Sequence, residues 1–75
     1  MSELRDLQML VSLSRTRNFS RSAMDCNISQ PAFSTRIRKL EERLKLPLVR
    51  RGNSFQGFTK EGDVVLKWAR KLLAD

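Results

Sequence analysis

An all-α fold class, the winged helix-turn-helix, is what three observations in this sequence predict. The first is a capped amphipathic stretch, Ser29–Leu44, preceded by a short helical segment and a three-residue break. The second is a hairpin-sized segment after Pro47, punctuated by Gly52-Asn53-Ser54 and Gly57. The third is a net charge of +7 concentrated around the capped stretch. Together they describe a three-helix core, a short β-hairpin wing and a C-terminal linker helix. The expected division is 1–58 for the winged helix-turn-helix and 59–75 for a linker and dimerisation helix.

Leu4, Leu7, Leu10/Val11 and Ser14 mark the first helix, from Glu3 to Arg15, with Met9 and Leu13 widening its apolar face. Thr16-Arg17-Asn18 reads as the break. Ser20 is the expected N-cap of the second helix, with Phe19 and Met24 at hydrophobic-staple spacing. Asn27 tolerates the left-handed conformation and stops that helix. Ile28 then turns inward.

The third helix has the clearest pattern. Phe33, Ile37, Leu40 and Leu44 are spaced by four, three and four residues and share one stripe. Ser29 caps the first turn, and Pro31 stands where a missing N–H costs nothing. At about 100° per residue, Pro31, Ser34, Thr35 and Arg38 lie opposite the stripe, with Gln30 beside them. Small polar and basic groups on the outer side of an anchored helix suit a DNA major groove.

Pro47 ends the helical pattern, Leu48-Val49-Arg50 can form a strand, and Phe58 can sit on its return. Thr59 caps the last helix, with Glu61 and Asp63 in its first turns. Val65, Trp68, Ala69, Leu72 and Leu73 form a wide apolar face. That face is the expected dimer interface, although Trp68 could instead close the domain's own core. The apolar pattern still runs at Asp75, so a longer natural protein is expected.

Composition narrows the function. Hydrophobic residues make up 40% of the 75 residues and charged residues 31%, an ordinary globular balance. The pI is about 10.8. From Arg15 to Lys60 there are eleven Lys/Arg and three Asp/Glu, so this segment carries +8 and the flanks −1. That is the footprint of a polyanion binder. There is no histidine and only one cysteine, Cys26, which removes the usual general base, the usual metal ligand and any internal disulfide. No metal and no cofactor is expected, and Cys26 reads as a small core residue. Glu41 and Glu42 point about 100° apart on a helix and do not make a catalytic pair. No run approaches the roughly 20 apolar residues of a membrane span, so a cytoplasmic location and no membrane partner are expected.

The residues from Asn18-Phe-Ser-Arg-Ser-Ala23 through Ile28-Ser-Gln-Pro-Ala-Phe-Ser34, Ile37-Arg38, Leu40-Glu41-Glu42, Leu48-Val-Arg-Arg51 and Phe58-Thr59-x-x-Gly62 carry a resemblance. Over nearly the whole chain, the sequence resembles the N-terminal winged helix-turn-helix domain of LysR-type transcriptional regulators. It departs from the family pattern at Cys26 (usually leucine), Lys45 (commonly glycine) and Val49 (usually phenylalanine). The resemblance implies a bacterial, non-enzymatic regulator of transcription. Such regulators bind double-stranded DNA, dimerise through the last helix and often assemble as tetramers. A small-molecule effector would act only through a C-terminal domain that this sequence lacks.

The candidate DNA-binding residues are Ser29, Gln30, Pro31, Ser34, Thr35, Arg36 and Arg38 on the third helix, Arg21 on the second, and Arg50 and Arg51 in the wing. Gln30 can pair with an adenine edge or merely cap the helix start, and Pro31 can meet a thymine methyl. Arg36 and Arg38 can grip phosphate or guanine. Arg50 and Arg51 suit the backbone or minor groove. Lys39 and Arg43 lie farther round, where nearby carboxylates can hold them.

Overall fold

In the computed structural model, which describes residues 3–74, four helices and one hairpin follow in the order α1 (Glu3–Thr16), α2 (Phe19–Asp25), α3 (Gln30–Leu44), β1 (Val49–Arg51), β2 (Phe55–Phe58) and α4 (Lys60–Leu73). Met1, Ser2 and Asp75, on which the bounds of the sequence reading fall, lie outside the described residues.

The caps explain where the helices begin. The backbone N–H of Ala32 donates to Ser29 Oγ at 3.2 Å, and Pro31 sits in the first turn of α3. Thr59 caps α4 by accepting from the Gly62 N–H at 2.8 Å. The cap of α2 is Asn18 and not Ser20: Asn18 Oδ1 accepts the Arg21 N–H at 2.9 Å. Asn18 has the extended backbone that a cap requires, φ −151° and ψ 119°. With the helix starting at Phe19, the Phe19–Met24 staple cannot form, and Met24 is 76% exposed.

Asn27 stops α2 in the left-handed region (φ 59°), and Lys45 closes α3 in the same way (φ 57°). Ile28 is half-buried beside the core.

The core lies where α1, α2 and α3 meet. Met9, Leu10, Leu13, Phe33, Ile37 and Leu48 are fully buried, each contributing about 1.5–3 kcal/mol of transfer free energy. Cys26 is a buried small residue there. Leu44 is 42% exposed. It keeps the angle of the stripe but ends α3, where it borders a groove beside α4.

The hairpin is antiparallel and begins one residue later than the sequence suggests. Leu48 belongs to the core beneath it: its N–H donates to Glu41, and its carbonyl accepts from the Thr59 N–H. The register runs from Val49↔Phe58 to Arg51↔Phe55, two steps along β1 against three along β2. Gly57 therefore forms a bulge, not a turn, and its φ of 115° is open to glycine. Helix α4 packs on α1, with Leu66 and Ala69 buried. A Cβ on Gly62 would lie 2.0 Å from the Leu48 carbonyl oxygen, so only glycine allows α4 this close to the wing base.

Candidate nucleic-acid interface

Two ion-pair clusters fix the third helix. Asp6, on the apolar side of α1, is 1% exposed. Its Oδ1 accepts from Arg36 Nε at 3.1 Å and Nη2 at 2.8 Å, and its Oδ2 accepts from Arg43. A buried carboxylate needs such partners, because removal from water is otherwise prohibitive. Arg36, expected to grip phosphate or guanine, is thus turned toward α1 and held by Asp6. The reason is angular: Arg36 lies only about 60° from Phe33 around the helix, on the α1 side.

Glu41 forms the second cluster. Its Oε2 accepts the N–H groups of Leu48 (2.7 Å) and Val49 (3.2 Å), and its Oε1 accepts from Arg51 Nη1 at 2.8 Å. One carboxylate on the third helix thereby anchors the first strand of the wing. Aromatic rings join the wing to the helices: Phe19 meets Phe33 and Phe55 edge-on at 6.2 and 5.8 Å, and Phe55 meets Phe58 at 5.2 Å.

These anchors leave one polar, basic face. Ser29, Gln30, Pro31, Thr35 and Arg38 are exposed on α3, and Ser34 is half-buried at the cleft edge. A cleft between α3 and the wing is lined by Gln30, Ser34, Arg38, Arg51, Gly52 and Asn53. It continues past Gln30 to Arg17, Asn18, Ser20 and Ser54. Arg21 and Arg50 are exposed. Arg51 reaches the cleft while paired with Glu41, with its guanidinium 6.0 Å from the Phe19 ring centre. The Ser29 hydroxyl is occupied with its capping bond.

The sequence reading missed Arg17, Asn53 and Ser54. The Asn-Ser turn chemistry could have signalled the wing tip, but nothing in the local pattern placed Arg17 beside it. It also missed Asp6, although an acid spaced three, four and seven residues from Met9, Leu10 and Leu13 is a signal of a buried pair.

On the opposite side lies an apolar groove of about 480 Å³, lined by Leu7, Leu40, Leu44, Val65, Trp68 and Leu72, with Ala69 at its floor. Trp68 is 60% and Leu72 70% exposed. Ala69 is fully buried, and Leu73 lies half-buried with Gln8, Val11 and Arg15. Neither belongs to the outward stripe expected of them, because α1 covers that flank of α4.

A helix-turn-helix whose second helix turns a polar face outward beside a two-stranded wing defines the class of winged helix domains. The chain belongs to the bacterial regulatory helix-turn-helix proteins of the lysR family, whose model matches residues 4–63. It is 42% identical to the hydrogen peroxide-inducible genes activator of Haemophilus influenzae and 40% identical to the DNA-binding transcriptional dual regulator OxyR of Escherichia coli. Each alignment covers 96% of this chain and 24% of the relative. The chain thus spans about a quarter of the length of these curated relatives, which are transcriptional regulators.

Among solved structures it is similar to the BenM_DBD/catB site 1 DNA complex, with a TM-score of 0.89 and 35% identity over 97% of this chain and 78% of that one. It is also similar to Vibrio fischeri DarR in complex with DNA, with a TM-score of 0.88 and 35% identity over 99% of this chain and 25% of that one.

Proposed function

We propose that this domain binds double-stranded DNA sequence-specifically, as the DNA-binding part of a cytoplasmic, non-enzymatic transcriptional regulator that works as a homodimer. The observation that carries this reading is the separation of charge. Asp6 and Glu41 are spent inside the fold, while Gln30, Ser34 and Arg38 line a cleft with the wing. The N-terminal half of α3 then meets base edges through Gln30, Pro31 and Ser34. Thr35, Arg38, Arg21, Arg50 and Arg51 hold phosphates on either side. Two copies joined through Trp68, Leu72 and Val65 would present two such helices to an inverted repeat.

The experiment is a titration of a duplex selected from a random library against a scrambled duplex at 50 and 200 mM salt. With about 6–10 phosphate contacts per dimer, affinity is expected to fall roughly 10³–10⁵-fold across that range. Gln30→Ala is expected to cost about 1–3 kcal/mol on the selected duplex and almost nothing on the scrambled one. Equal affinity for both duplexes would mean a nonspecific nucleoid-type binder. Binding to neither would leave a protein-interaction module.

A further inference from the structure

Arg17 stands at the break between α1 and α2 with φ 55°, its N–H donating to the Leu13 carbonyl at 2.8 Å. Thr16 Oγ1 accepts the Asn18 N–H at 3.2 Å, so the backbone on both sides of it is hydrogen-bonded. The side chain is exposed yet not loose. Its guanidinium carbon lies 5.3 Å from the centre of the Phe55 ring, and Phe55 is itself wedged between Phe19 and Phe58. Arg17 lines the continuation of the recognition cleft with Asn18, Ser20, Gln30, Asn53 and Ser54.

Arg17 also stands outside the ion pairs of the described residues. The ion pairs among the described residues give Arg36 and Arg43 to Asp6, and Arg51 to Glu41. No carboxylate pairs with Arg17 among the described residues. An unneutralised guanidinium next to Gln30, in a cleft whose other groups are amides and hydroxyls, is built for an anion. The cation–π contact restrains the guanidinium over the ring, and its fork of N–H donors can still serve an anion. It also removes rotamer freedom before the ligand arrives, which lowers the cost of binding.

We propose that Arg17 is a further DNA-contacting residue, a phosphate contact on the wing side of the recognition helix, held ready by Phe55. This inference rests on the DNA-binding reading above. It adds a contact from the α1–α2 break, so the backbone would be gripped at four places: this break, α2 through Arg21, the outer face of α3, and the wing.

The test compares the wild-type chain with Arg17→Gln and Arg17→Lys by fluorescence anisotropy, on selected and scrambled duplexes between 50 and 200 mM salt. Melting curves confirm that each variant is folded. Arg17→Gln is expected to lower the slope of log affinity against log salt by about 0.9 per protomer, equally on both duplexes. At 50 mM that slope change makes the variant about 3-fold weaker, relative to wild type, than at 200 mM, per protomer. Arg17→Lys is expected to restore the slope. An unchanged slope in Arg17→Gln, a loss confined to the selected duplex, or a lysine variant that behaves like glutamine overturns the assignment. A flat salt profile in the wild type overturns the DNA-binding reading and this inference with it. A steep wild-type profile with an unaltered Arg17→Gln slope overturns this inference only.

Discussion

Lys45 closes the recognition helix with φ 57° and ψ 38°, a conformation that a residue with a Cβ adopts at a cost of roughly 1 kcal/mol. Its N–H still donates to the Glu42 carbonyl, so the cap is made despite the strain. Lys45→Gly is therefore expected to stabilise the domain by about 0.5–1 kcal/mol, part of the relief being offset by the freer unfolded chain. The gain would appear as a rise of about 2–8 °C in melting temperature. No rise would mean that Lys45 gains more from local contacts than its backbone loses. Single residues also mark the limits of reading this chain linearly. Ser29, Asn27 and Thr59 were legible because caps and stops act within a few residues. The pairing of Arg36 with Asp6 was not legible because Asp6 lies 30 positions away, and the helical wheel alone does not say that α1 packs on that flank.

At the scale of elements, the recognition helix and the wing are coupled by Glu41. Its carboxylate takes two backbone N–H groups from the start of β1 and the guanidinium of Arg51. Glu41→Gln keeps an acceptor but removes the ion pair. It is expected to cost about 1 kcal/mol of stability and to speed hydrogen exchange at Leu48 and Val49. Combined with Arg51→Ala, the losses should be less than additive, with a coupling of about 0.5–1 kcal/mol. Strict additivity would show that Arg51 draws its order from Phe19 stacking instead. The hairpin itself was legible from Pro47, Gly52-Asn53-Ser54 and Phe58. Its bulge was not, because a glycine in a short strand and a glycine in a turn look alike until the register is known. The cap of α2 failed for a related reason: Asn18 and Ser20 are both good caps, and only the tertiary placement of Phe19 decides between them.

For the molecule as a whole, the two faces are opposite in character. One is polar and basic around Gln30, and the other is an apolar groove beneath Trp68 and Leu72. Leu72 is 70% exposed, so Leu72→Glu is expected to leave the fold intact by circular dichroism. In the proposed dimer it buries a charge against an apolar partner surface. Sedimentation should shift to monomer, and affinity for the full inverted repeat should fall while a half-site is bound as before. A variant that stays dimeric would put the interface elsewhere on the chain. The wide apolar face of α4 was legible in sequence, but its division was not. Val65, Trp68, Ala69, Leu72 and Leu73 look equivalent by spacing, and only the docking of α1 assigns Ala69 and Leu73 inward.

The seam between α1 and α4 joins distant parts of the chain: Arg70 Nη2 donates to Ser14 Oγ across 56 positions. Closing so long a loop carries a greater chain-entropy penalty than the α2–α3 turn or the wing, which close locally. The order of assembly follows. Helices α1 to α3 and the hairpin are expected to form the folding nucleus, with α4 adding afterwards. Ala69→Gly, which removes a buried methyl group from that seam, should then accelerate unfolding and leave the refolding rate almost unchanged. A slowed refolding arm would place α4 in the nucleus. Under the expected order, a nascent chain would already carry its recognition helix in place before the surface proposed to pair it with a second copy had been completed.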